Sequence, residues 1–423
     1  MKLRHERRLS AQLNLTLLED RTVPTVFSGP PTITAGGTYT GDWQSLDPNV
    51  PAITIATAAP VVLENCHIQG RSTLISCTVP HANVTIRDCW GYGLNPNVAG
   101  KAAGRFADIE NFSNVVIENN DLEGTGGIWL LNYNGDHTAA DTVKVLRNRA
   151  HNIDGRESDG HGGYLAYNTE TVNGVTKDGY EYRQFFQMDK VLDVPNMEIA
   201  WNEVINDPGL SRVEDNINIY ESRGTPTSHL KVHDNYIRGA YTIKPGQASY
   251  SDATGSYDWS FSGGGILLGD GDTTNPALVP GYADVFNNEI VDTTNYGVAI
   301  AGGHDQSIYN NRVISSGVLG DGTWVTAQNV GAYIWDSYHL GSSVFYNNVG
   351  SGNQSGWVNQ PTGARNDWWV PGAASWTGNV HWSGTVTAAT ETAEYAYWQN
   401  KLSANGVTLG PVQPATLPTT PPV

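Results

Sequence analysis

One six-residue pattern, apolar-x-apolar-x-x-Asn, recurs nine times between residues 61 and 348 and restricts the fold more than any other feature. Its copies are 61–66, 84–89, 115–120, 143–148, 197–202, 230–235, 283–288, 306–311 and 343–348. The third position holds Leu63, Ile86, Ile117, Val145, Ile199, Val232, Val285, Ile308 and Phe345, all apolar. The sixth holds Cys66 and Cys89, then Asn120, Asn148, Asn202, Asn235, Asn288, Asn311 and Asn348. Two residues later an apolar side chain returns, as at Ile68, Leu122, Val204, Ile237, Ile290 and Val313. Strict alternation marks a strand with one buried face. The shortest spacings, Cys66 to Cys89 and Asn288 to Asn311, are both 23 residues, one turn of a β-solenoid, and the longer intervals carry loops.

Asn tolerates the left-handed turn conformation, and its amide can bond to the Asn one coil away. Stacking identical amides about 4.8 Å apart satisfies each of them. Cys66 and Cys89 share the Asn column and read as an interior sulfur stack, with disulfide and free thiols both open. A second strand pattern follows each Asn turn, at 72–76, 105–111, 126–132, 185–191, 215–221, 264–270, 297–303 and 331–337. The two patterns alternate from about Ile53 to Asn348. This resembles the pectate-lyase-like superfamily, and the resemblance implies an all-β fold, a right-handed parallel β-helix. It covers about 300 residues and speaks to fold, since one solenoid hosts many activities.

Composition agrees. The chain has 47 glycines and only 16% charged residues, as a β-rich protein with many turns requires. With 42 acidic against 24 basic residues, its net charge of −18 opposes binding to nucleic acid or anionic lipid. Three cysteines exclude a disulfide-rich scaffold and a four-Cys zinc site. No apolar run reaches the roughly 18 residues of a transmembrane segment.

The ends differ from the middle. Residues 1–27 carry a basic start (Lys2, Arg4, Arg7, Arg8), an apolar stretch Leu9 to Leu18, and then Leu18-Glu19-Asp20-Arg21-Thr22-Val23-Pro24. That run resembles the leader of exported bacterial surface proteins and implies a secreted or cell-surface location; a short cytosolic amphipathic helix is the alternative. The solenoid is expected over 28–355. A Trp-rich region over 356–410, with Trp357, Trp368, Trp369, Trp376, Trp382 and Trp398, is expected to cap the last coil or pack along a side. It contains one short helix at 390–405, ending near Gly406. Its alternative role is stacking tryptophans on sugar rings. The Pro-rich tail 411–423 reads as an extended linker.

Loop insertions point to the site. The largest intervals, Asn148 to Asn202 (54 residues) and Asn235 to Asn288 (53 residues), flank the coil running from Arg212 to Glu221. Three successive strands there carry Gln187-Met188-Asp189-Lys190, then Glu214-Asp215-Asn216-Ile217-Asn218-Ile219, then Gly263 to Asp270. Their order is similar to the Asn-x-Asp, Asp-Asp-x-Ile-x-Ile and Gly-His-Gly strands of polygalacturonase-type glycoside hydrolases. Gly264 stands where that family has His, Glu214 replaces an Asp, and the family's downstream Arg-x-Lys is missing.

From the residues themselves, Asp189 and the Glu214/Asp215 pair are expected on the order of 5 Å apart on adjacent coils. Like charges that close raise at least one pKa and yield an acid beside a base. Asp189, Glu214, Asp215 and Asp270 are therefore the candidate catalytic carboxylates, with Lys190 and His304 beside them. Arg212, Asn216, Asn218 and Lys244 are candidate substrate ligands. Asp189 and Asp215 are also the candidate calcium ligands, and Lys190, Arg212 or Lys244 would then serve an eliminating lyase. The expected function is a secreted carbohydrate-active enzyme, a monomer hydrolysing a polysaccharide laid along the helix. The alternatives are a calcium-assisted polysaccharide lyase and a non-catalytic surface or adhesion protein.

Overall fold

The apolar column is a physical stack. In the structure, a computed structural model, Leu63, Ile86, Ile117, Val145, Ile199, Val232, Val285 and Ile308 are register neighbours from coil to coil. All eight are fully buried. At about 1.5–3 kcal/mol per buried aliphatic side chain, such columns drive the winding of the chain. The structure describes residues 26–412, apart from 166–169, 173–174, 178, 243–248, 252–255, 259–262, 272–274, 326–327 and 361. The leader and the tail, but for residues 26–27 and 411–412, lie outside the described residues.

The architecture is a parallel β-helix of three sheets with 11, 11 and 12 strands. Each coil runs through the first sheet (for example Ile75–Cys77), then the second (Ala82–Arg87), then the third (Trp90–Gly93). The two sequence patterns form the second and first sheets respectively. The third sheet, built from short strands such as Asp121–Glu123 and Arg149–His151, has no pattern of its own. A three-residue strand has one inward side chain, so there is no alternation to read. The first inward residue of these third-sheet strands is the apolar one that returns after the Asn turn, as at Leu122, Ile237 and Val313.

The corner between the second and third sheets is two residues long. The first of the two is left-handed: Asn65, Asp88, Asn119, Arg147, Trp201, Asp234, Asn287 and Asn310 all have φ between 52° and 58°. The ladder Asn is the second. The left-handed residue is therefore the one before the stacked Asn, not the stacked Asn itself as expected. At Arg147 and Trp201 this geometry costs about 1–2 kcal/mol each. The ladder offsets it. Each Asn Oδ1 accepts both the backbone N–H and the Nδ2 of the Asn one coil earlier, at 2.9–3.0 Å for Asn120 to Asn148 and for Asn148 to Asn202. The remaining Nδ2 hydrogen meets a strand carbonyl, as from Asn202 to Val145. Cys89 joins the ladder through its backbone N–H, 3.0 Å from Asn120 Oδ1. Cys66, Cys77 and Cys89 are buried free thiols.

The last coils correct the expected register. Asn311 bonds to Asn353, and Asn353 to Asn379, so Asn348 is not a rung. The partner of Ile308 is Gly350 rather than Phe345. Asn347-Asn348 forms the same left-handed pair one corner earlier, between the first and second sheets, where Asn348 bonds to the carbonyl of Gly303. The true corners are Gly352-Asn353 and Gly378-Asn379, with glycine in the left-handed position (φ 64° and 66°). The sheets also continue past residue 355, through Trp368–Trp369, Ser375–Thr377 and Val380–His381. The helix Ala388–Asn405 is capped by Thr387 and ends at left-handed Gly406. It lies along the side of the third sheet, where Trp398 and Leu402 pack on Tyr236 and Val291.

Candidate functional site

Both long inserts connect a third-sheet strand to a first-sheet strand: Arg149–His151 to Phe186–Asp189, and Tyr236–Ala240 to Gly264–Asp270. They leave at the edge of the first sheet, and the outer face of that sheet collects the chemistry. Phe186 and Met188 are core residues, so Gln187 and Asp189 point outward. In the next coil Ile217 and Ile219 are core, and Asn218 is outward. Alternation alone would put Asp215 inside with Ile217. Instead Asn216 also turns inward, where it accepts from Asn206 (2.8 Å) and donates to the carbonyls of Gly239 and Gly264. Asp215 is thereby left on the outer side, and the Tyr296 hydroxyl donates to it.

Asn218 joins two carboxylates. Its Nδ2 donates to Asp215 at 3.0 Å and to Asp270 at 2.8 Å. With the two amide hydrogens about 120° apart, those oxygens are about 5 Å from each other. Asp270 also accepts from the Tyr338 hydroxyl and from the Gly271 N–H. Asn218 is 2% exposed, and its Oδ1 has no hydrogen-bond partner among the described residues. Burial pushes the Asp215 carboxyl well above the carboxylate range, and the charge of Glu214 adds to this against the bond from Tyr296.

Asp189 is not beside the Glu214/Asp215 pair. Its register neighbour is Tyr220, and that of Tyr220 is Asp270. Asp189 and Asp270 are thus two coils apart in one column, about 10 Å. The expected 5 Å contact fails because Asp215 begins its strand while Asp189 ends the one below. Glu214 instead accepts from Gln184 at 2.9 Å. Burial raises the Asp189 pKa, only partly offset by Lys190. Lys190 Nζ is 3.0 Å from Asp189 and 3.5 Å from Glu221. Burial opposes the Lys190 charge, but Asp189 and Glu221 outweigh it and raise its pKa.

The other sequence candidates are elsewhere. Arg212 is 1% exposed, with the Tyr180 ring 3.5 Å from its guanidinium carbon. Asn216 is fully buried and bonded inward. Neither is exposed on the outer face. His304 opens a second-sheet strand, His304–Tyr309, rather than lining the first sheet. It bonds to Asp305 at 2.8 Å and stacks flat on Tyr346 at 4.7 Å. Lys244 lies outside the described residues. Asp189 and Asp215 do not share a site, and among the described residues no cluster of three or more His, Cys, Asp or Glu is placed to hold a metal ion.

Arg105, Asp108 and Trp129 lie on the same face, although the motifs of the chain do not point to them. Asp108, Trp129, Gln187 and Asn218 are consecutive register neighbours in one outward column. Arg105 donates to Gln184 and Gln187 and sits 5.7 Å from the Trp129 ring centroid. The Asp108 carboxyl is raised to about 6 by burial and by Glu110, against Arg105 and Arg183, and its Oδ1 has no partner among the described residues. A signal for two of them is present in the sequence, because both Asp108 and Trp129 occupy outward places in the second repeat.

A rival cleft of about 360 Å³ lies on the third sheet under the start of the helix, lined by Asp207, Arg238, Tyr241, Asp292, Glu391 and Tyr395. Its polar groups satisfy one another: Arg238 with Asp207 (2.6 Å), Tyr241 with Asp292 (2.7 Å), Tyr395 with Glu203 (2.7 Å) and Glu391 with the Ser316 N–H (2.5 Å). The first-sheet face instead keeps buried acceptor oxygens without donors, which favours it as the ligand site. No protein-family model, curated protein or solved structure matches the chain.

Proposed function

We propose that the protein is a glycoside hydrolase that cleaves a polysaccharide laid along the outer face of the first sheet. The observation that carries this is the Asp215–Asn218–Asp270 bridge: both carboxylates bond one amide nitrogen, at 3.0 Å and 2.8 Å, which holds them at the short separation, about 5 Å, that suits a retaining mechanism. Their environments differ, as acid and nucleophile require. Asp215 is buried and its pKa is raised well above the ordinary carboxylate value, the direction a general acid needs to deliver a proton to the glycosidic oxygen. Asp270 is less buried, with Tyr338 and the Gly271 N–H fixing its orientation, and can attack the anomeric carbon as a carboxylate. Water then releases the glycosyl–enzyme ester, with Asp215 now acting as base.

Elimination is the weaker reading. A base must be neutral, and Lys190 is held charged between Asp189 and Glu221. Arg212 is closed off beneath Tyr180. The leader-like Leu18-Glu19-Asp20-Arg21-Thr22-Val23-Pro24 supports export to the bacterial surface or beyond. The test is a polysaccharide panel assayed with and without EDTA, the anomer of the first product followed by NMR. Retention, insensitivity to EDTA and loss of turnover in Asp215→Asn and Asp270→Asn are expected. An unsaturated, ultraviolet-absorbing product would show a lyase. Binding without turnover would show a non-catalytic protein.

A further inference from the structure

The outward column of the first sheet extends well beyond the carboxylate pair. From Asn218 it runs back through Gln187 and Trp129 to Asp108, three coils or about 14 Å. Only an oligomeric ligand spans that length. The polar groups along it are unbalanced. Asn218 Oδ1 and Asp108 Oδ1 are buried acceptors with no donor among the described residues. A buried acceptor without a partner is destabilising, a loss that a ligand hydroxyl would relieve and a ligand carboxylate would not.

The described cations near this face are already engaged. Lys190 serves Asp189 and Glu221. Arg105, 8% exposed, donates to the Gly126 carbonyl at 3.1 Å, Gln184 at 3.2 Å and Gln187 at 3.4 Å. Arg183 has an unpartnered Nε but spends its charge on Glu181 through Nη2. The charge of Arg105 is countered by Asp108, Glu181 and Glu214, so a uronate chain would meet Asp189 and Asp270 with no described cation left over to balance it, on a protein of net charge −18.

Resting on the hydrolase reading of the same face, we infer that its substrate is a neutral, hydroxyl-rich glycan, not a uronate polymer, bound through Trp129 and the acceptor oxygens of Asp108 and Asn218. The half-buried Trp129 indole offers an apolar surface to a sugar ring between the two acceptors. The Asp108 carboxyl, near pKa 6, accepts from sugar hydroxyls when ionised and can also donate to them when protonated. Specificity is then set by hydroxyl donors rather than by charge.

The experiment uses the full chain carrying Asp270→Asn, so that binding is read without cleavage. It is titrated calorimetrically with hexasaccharides of glucan, xylan, mannan and galactan, and with hexagalacturonate. At least one neutral hexasaccharide is expected to bind, with an affinity insensitive to salt between ~50 and ~500 mM. Hexagalacturonate is expected to bind at least about tenfold more weakly. Adding Trp129→Ala should weaken the neutral ligand about tenfold or more, Trp129→Phe much less, and Asp108→Asn several-fold. The inference is overturned if hexagalacturonate binds as tightly, if no neutral hexasaccharide binds, or if Trp129→Ala and Asp108→Asn, with unchanged melting temperatures, leave the affinity unaltered. The two readings fail separately. A neutral glycan that binds but is not cleaved by the unmodified protein would remove the hydrolase alone. Cleavage of a uronan that is lost in Asp215→Asn would remove the neutral-substrate inference alone.

Discussion

Replacing Asn202 by Ala should be among the most damaging single changes in this chain. Asn202 is fully buried mid-ladder. Its Oδ1 accepts the backbone N–H of Asn148 at 3.0 Å and the Asn148 Nδ2 at 2.9 Å. Its Nδ2 donates to the Val145 carbonyl at 2.9 Å and to Asn235 Oδ1 at 2.9 Å. Alanine removes all four bonds. It leaves the Asn148 N–H, one Asn148 Nδ2 hydrogen and the Val145 carbonyl in an interior that water does not reach, while Asn235 Oδ1 keeps its bond from the backbone N–H at 202. At about 1–3 kcal/mol for each stranded group, the loss is about 3–6 kcal/mol once partial relaxation is allowed. A domain is stable by only about 5–15 kcal/mol, so the variant should be marginal. Urea unfolding followed by circular dichroism reads the change directly. The comparison is Asn379→Ala at the ladder's last described rung, where the side chain is only half-buried and water can replace its bonds to Asn353; it should cost about 1 kcal/mol. Equal, small losses at both positions would refute the account, because they would mean that the stacked amides contribute no more than exposed ones.

Ile199→Asp puts a charge into the central apolar column and should abolish soluble folded protein, as judged by expression and size-exclusion chromatography. Asp215→Asn and Asp270→Asn should each lower kcat by about two to four orders of magnitude with little change in melting temperature. Glu118→Gln, on the outer face of the second sheet beside Arg147, should leave turnover unchanged. Glu289, 2% exposed beneath the helix Ala388–Asn405, has its carboxyl pushed up to about 7 by burial, against the opposing pull of Lys401. The fold therefore favours its neutral form. The associated stability is present in full below the ordinary Glu pKa and is lost as pH rises through about 7, by up to about 3 kcal/mol. Melting scans from about pH 4 to about pH 8 should show that decline, and Glu289→Gln should flatten it.

Much of this protein is written in short stretches of its sequence. Alternation over six residues fixes which face of a strand is buried, and the ladder Asn marks where that strand turns. Both signals are local, so the apolar column from Leu63 to Ile308 and the rungs from Asn120 to Asn311 are legible from the order of residues alone. Where two local solutions compete, sequence cannot choose. Asn347-Asn348 and Gly352-Asn353 carry the same left-handed signature, and only the fit of Val349–Ser351 against Ser307–Tyr309 decides which is the rung.

The site belongs almost wholly to that second kind. Asp215 and Asp270 are 55 residues apart in the sequence. They meet because the strand register shifts between Ile219 and Tyr220, and because Asn216 turns inward out of alternation. The same register separates Asp189 from Asp215, buries Asn216, and leaves His304 on another sheet. Sequence identifies which residues can carry the chemistry, since that depends on side-chain type and local pattern. Which of them share a face depends on cross-coil register, and loops of unequal length reset that register at every turn.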